Sequence, residues 1–137
     1  MFGFLDRLQP LALLVLRVAL GATMMVHGKE KLFGGIHNFI DTLHKLGVPA
    51  PTFMGYLSAG TEFFGGILLI LGLFTRCAAL ATLINMLVAI FKVHFKNGFT
   101  GQGNYQFPLA LAVIAFALMF YGAGPISLDW AFGRKGR

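Results

Sequence analysis

"LALLVLRVALGATMMVHGKEK", residues 11–31, decides the fold. Until His27 it carries a single charge, Arg17. About 20 apolar residues cross a bilayer as a helix, each adding ~1.5 Å of rise. A span over about 10–31 follows, with Pro10 in its first turn, where a missing N–H costs nothing. Three more stretches share this character, at about 53–73, 76–95 and 104–122. The expected fold is an all-α membrane protein, a single domain over 1–137 with four transmembrane helices in an antiparallel bundle.

Composition supports that solvent. The 137 residues are 57% hydrophobic and only 12% charged. A soluble domain averages about 25% charged residues, so this chain has too few polar groups to build a wetted shell. Its one cysteine, Cys77, rules out an intrachain disulfide, a cysteine metal cluster and a paired-cysteine redox motif. The net charge of +6 flanks the apolar runs and does not alternate with stacking aromatics, so no nucleic-acid partner is expected. The opening "MFGFLDRLQP" superficially resembles a signal peptide, but Arg17 interrupts the apolar run and the first helix is read as retained.

Between the first two spans lies "GGIHNFIDTLHKLGVPAP", residues 34–51. Ile36, Phe39, Ile40, Leu43 and Leu46 recur at helical spacing, with His37, Asp41, His44 and Lys45 on the other face. The pattern predicts a short amphipathic helix over about 35–46, lying at the membrane surface and stopped by Gly47 and Pro49. Arg7, Arg76, Arg134, Lys135 and Arg137 fall on one side of the bilayer; Lys29, Lys31, Lys45 and Lys96 fall on the other. The positive-inside rule then favours an N-in, C-in multi-pass topology.

Three polar residues interrupt the spans: Arg17, Glu62 and Asn85. Counted inward from His27, Phe53 and His94, all three lie ~13–15 Å deep. One unpaired charge at mid-bilayer costs about 2.5–3.5 kcal/mol, so Arg17 and Glu62 are expected to pair, with Asn85 beside them. The bland alternative is a clip that fixes helix register, since a buried ion pair is no proof of function. The sharper one is a binding or proton-handling site.

The outer ends hold His27, Lys31, His94, Lys96 and Gln106. His27 and Lys31 form an i,i+4 pair. On an ideal helix His94 is opposite Asn85, whereas Lys92 shares Asn85's side. Snorkelling is the plain reading of the lysines and an interfacial hydrogen bond that of the histidines. No two histidines have compact ligand spacing, so no metal site is expected. The candidate binding residues are Arg17, His27, Lys31, Glu62, Asn85, His94 and Gln106. Glu62 is the proton-handling candidate, and no catalytic residue is assigned. The small residues Gly55, Ser58, Ala59, Gly60, Gly65 and Gly66 suit close helix packing. The methionines and phenylalanines suit packing or lipid contact, and would equally suit a flat apolar ligand such as a quinone.

"LRVALGATMMVHGKEKLFGG" (16–35), "GVPAPTFMGYLSAGTEFFGGILLILGLFTR" (47–76), "AIFKVHFKNGF" (89–99) and "GAGPISLD" (122–129) together resemble the DoxX family, over about residues 10–129. The resemblance implies a small four-helix protein of the bacterial inner membrane. It implies company with a subunit of a thiosulfate:quinone oxidoreductase and with proteins linked to thiol stress, quinone detoxification and methylamine dehydrogenase maturation. It makes Arg17, His27, Lys31, Glu62 and His94 recurrent polar positions. Family members often carry a glutamate where this chain has Gln106, which puts any proton step there in doubt or moves it to Glu62. The functional expectation is a membrane subunit of a quinone- or thiol-linked redox system with a buried polar pocket. It has no intrinsic cofactor, takes quinone as ligand, and works beside membrane lipids, a soluble or membrane redox partner protein, or a second copy of itself. The alternatives are a small-molecule or ion carrier and a membrane scaffold or assembly factor.

Overall fold

The computed structural model describes residues 2–94, 98 and 105–133. No strand occurs among them. A 3₁₀ turn, Gly3–Leu8, leads into α1, Gln9–Lys29, which continues through a π-helical turn, Glu30–Gly34. Helix α2 spans Ile36–Lys45, α3 Pro51–Leu71 and α4 Thr75–Ala89, the last continuing through a second π-helical turn, Ile90–His94. Helix α5 spans Gln106–Tyr121, and a single turn, α6, spans Leu128–Ala131.

Three of these helical stretches, Gly3–Gly34, Pro51–Leu71 and Thr75–Lys92, are long and apolar enough to cross a bilayer. Helix α5 is equally apolar but has 16 described residues. The proposed span end at 95, Lys96, the span start at 104 and the basic tail Arg134, Lys135 and Arg137 lie outside the described residues.

Helices α1 and α3 run antiparallel and touch backbone to backbone. A Cβ on Gly21 would sit 2.5 Å from the Gly66 carbonyl oxygen, and one on Gly66 would sit 2.6 Å from the Met25 amide nitrogen. Gly28 likewise abuts the backbone of Phe63 and Ala59. Only glycine permits this approach, the usual means of holding helices together where no water drives them. Helix α4 packs against α5 and, less extensively, α3. Leu20, Met24, Leu69, Met86, Leu111 and Leu118 form the common core. Phe53, Phe64, Phe91, Phe116 and Phe120 point outward, as residues facing lipid would.

The apolar face of α2 lies on α3, where Ile40 and Leu43 border Gly55. Pro51 starts α3, and Gly72 ends it in the left-handed conformation, with φ at 70°. The Leu73 amide then closes back on the Leu68 carbonyl at 3.0 Å, so three residues suffice to turn into α4.

Candidate binding site around Glu62

Arg17 and Glu62 do not pair. The Arg17 guanidinium donates to two backbone carbonyls beyond α5, from Nη1 to Ala123 O at 3.2 Å and from Nη2 to Ile126 O at 2.8 Å. It abuts Gly72, whose missing side chain leaves room for it. From Glu62 to Gly72 along α3 is ten residues, or ~15 Å of rise. The equal-depth count failed because it took His27 as the outer boundary of a helix that runs well past it. The helix continues to Gly34, and Gly28 packs against Phe63. Glu62 therefore lies level with the His27–Lys31 turn, and Arg17 lies near the opposite end of the bundle.

Arg17 there acts as a clasp. It holds the chain after α5 against the end of α3, and Asp129 completes the junction. The Asp129 carboxylate accepts from the Phe74 amide at 2.8 Å and the Thr75 amide at 3.0 Å, capping the start of α4. In return its own amide donates to Gly72 O at 2.9 Å.

Glu62 is 2% exposed and finds its cation in Lys31, at 2.7 Å from Nζ to Oε2. Asn85 donates from Nδ2 to the same oxygen at 3.1 Å. Ser58, one turn before Glu62, donates to Asn85 Oδ1 at 2.7 Å and stands 3.5 Å from Oε2. Three helical segments thus meet on one carboxylate oxygen. Among the described residues, the hydrogen bonds to Glu62 all end on Oε2. The Lys31 ammonium also lies 4.5 Å from the centre of the Phe39 ring, a cation–π contact that ties α2 over the site.

These groups close one end of a cavity of about 190 Å³, roofed by Phe39, Leu43 and Val48 and walled by Met86 and Lys92. Lys92 lies on Asn85's side of the helix. Of the other sequence candidates, His27 turns away: its Nδ1 lies 2.8 Å from the Thr23 carbonyl, and its ring lies 6.0 Å from that of Phe107 on α5. A π-helical turn starts between His27 and Lys31, and its wider winding shifts the face on which Lys31 emerges. Gln106 begins α5 and does not line the cavity. The His94 side chain lies outside the described residues. Ser58 and Phe39 are the members that sequence reasoning missed. Ser58 was legible as the i−4 neighbour of Glu62. Among the described residues, no three His, Cys, Asp or Glu side chains gather.

The DoxX family model matches residues 12–95, which carry Lys31, Ser58, Glu62 and Asn85. The chain belongs to the DoxX family. A Bacillus subtilis relative named "Putative oxidoreductase CatD" is 34% identical over 116 residues, 85% of this chain and 83% of its own. An uncharacterized Haemophilus influenzae protein is 33% identical, covering 96% of this chain and 98% of its own. The Escherichia coli inner membrane protein YphA is 27% identical, covering 88% and 90%. No solved structure matches the chain. With its long apolar helices, this DoxX chain is a membrane protein.

Proposed function

We propose that this DoxX protein is an inner-membrane subunit of a quinone- or thiol-linked redox system, and that the Glu62 cavity holds the ring of a quinone or its hydroquinone. One observation carries the reading: among the described residues, Lys31 and Asn85 both engage a single oxygen, Oε2, of a buried carboxylate that lines a cavity. A hydroquinone hydroxyl would donate to Oε1 and pass its proton there, while Lys31 or Asn85 would donate to a ring oxygen. Oxidation to the quinone would send two electrons to a partner redox protein and two protons in turn through Oε1, and reduction of the quinone would reverse both flows. The name borne by CatD supports a redox setting and says nothing of a quinone.

In this reading α1, α3, α4 and α5 are the four spans, and α2 lies at the outer surface. The N- and C-termini face the cytoplasm. The engagement of Lys31 with Glu62 favours that orientation, because it removes one lysine from the outer loop count.

Binding of a short-tailed benzoquinone and its hydroquinone to the purified protein tests the proposal. The wild type is expected to bind and Glu62→Gln to lose at least tenfold in affinity while remaining folded, a change of about 1.4 kcal/mol. Equal affinity in the two proteins, or no binding by the wild type, would overturn it.

A further inference from the structure

The cavity at Glu62 does not end at its polar wall. Through Leu43, Val48, Ser58, Asn85 and Val88 it shares its lining with an apolar groove of about 300 Å³ between α3 and α4. Leu57, Thr61 and Ala81 carry that groove on into a third, of about 430 Å³, which reaches Leu68 and Cys77. From Met54 to Leu68 the path follows α3 for ~21 Å along the outer seam of the bundle. One end is a charged, hydrogen-bonding chamber, and the rest is hydrocarbon-like.

Gly60 gives the groove a second, independent mark. Glycine inside a helix costs about 0.5–1 kcal/mol relative to alanine. At Gly21, Gly28 and Gly66 a neighbouring backbone requires it, whereas a Cβ on Gly60 would meet nothing within 4 Å. Gly60 lines the groove, so what it preserves is empty volume beside the lipid.

We infer that the α3–α4 seam is the tail channel of the Glu62 site: the ligand is a bilayer-dissolved quinone whose long apolar tail lies along Leu57, Gly60, Thr61 and Ala81 while its ring enters sideways beneath α2. This rests on the quinone reading above and adds the route and the tail. Entry from the lipid lets a ligand reach the chamber without passing the Lys31–Phe39 contact that ties α2 over it. It also selects for a tail, since a chain seated in the seam fills the groove and gains close van der Waals contacts that fluid lipid does not hold there.

The test compares a tail-less dimethoxy-methyl-benzoquinone with its decyl-tailed analogue, on the full chain in lipid nanodiscs. Wild type should bind the decyl compound at least about tenfold more tightly, referred to its concentration in the membrane. Gly60→Leu and, separately, Ala81→Leu should remove that gain and change tail-less binding by no more than about twofold. Retention of the full decyl gain in both folded variants overturns the tail channel and leaves the ring site standing. Failure of the wild type to bind either compound overturns both. A phospholipid acyl chain resident in the seam would show as decyl affinity equal to tail-less affinity in the wild type, and would also overturn the channel.

Discussion

Lys31, on the π-helical turn after α1, reaches 2.7 Å to Glu62, in the middle of α3. The two ends of this bond live in different surroundings: the lysine side chain is 32% exposed and the glutamate 2%. Such a pair has an asymmetric energy. Losing the cation strands a buried carboxylate, whereas losing the carboxylate frees a lysine that can turn toward the surface. Lys31→Met should therefore destabilise the protein more than Glu62→Gln does. The double variant should recover about 1–2 kcal/mol of the summed losses. Thermal unfolding in detergent for the four members of the cycle checks this; strict additivity would mean that the two residues do not interact.

Arg17 makes its hydrogen bonds to carbonyls, and a charged donor in such a bond is worth about 1.5–3 kcal/mol. Relief of burying the guanidinium offsets part of this. Arg17→Met should cost about 2 kcal/mol net and leave quinone affinity within about twofold. A binding loss as large as that of Glu62→Gln, in a folded protein, would restore Arg17 to the site.

Asp129 caps the first two amides at the start of α4 with both carboxylate oxygens. Asp129→Ala should cost about 1 kcal/mol and loosen the end of α4. Cys77 lies in that first turn and is exposed. Its alkylation by a membrane-permeant maleimide should speed up in the variant, and an unchanged rate would contradict the capping role.

Two glycines on α3 should behave oppositely. Gly66→Ala pushes a methyl group onto the Gly21 and Met25 backbone, which cannot swing aside, and should destabilise by more than about 2 kcal/mol. Gly60→Ala meets open space and should stabilise by about 0.5–1 kcal/mol. Melting temperatures of the two variants moving in the same direction would refute the packing argument.

The helices themselves were legible because apolar runs and the α2 pattern depend only on local spacing. The neighbourhood of Glu62 and Asn85 was legible for a related reason: antiparallel helices joined by a three-residue turn allow little choice of level. The partner of Arg17 was not. Carbonyl acceptors belong to every residue and leave no trace in the sequence, so an intramembrane arginine invites a carboxylate that it does not use. The partner of Glu62 was hidden by a different cause. The depth count started at His27, inside a span read to about 31, yet the helix continues to Gly34 through a π-helical turn that composition does not announce. That continuation brought Lys31 down to the carboxylate and put the sequence estimate of depth out of step.

The glycine-lined contact of α1 with α3 has a mechanical consequence. At Gly21, Gly28 and Gly66 one backbone meets the other directly, so sliding or tilting there would drive backbone against backbone, and the pair should behave as a rigid post. Any breathing that admits a molecule must come from α4 or from α2, the elements that meet α3 through side chains. Amide exchange should then be slowest along the α1–α3 contact and fastest in α2, and the post would serve as the fixed wall against which the Glu62 chamber opens.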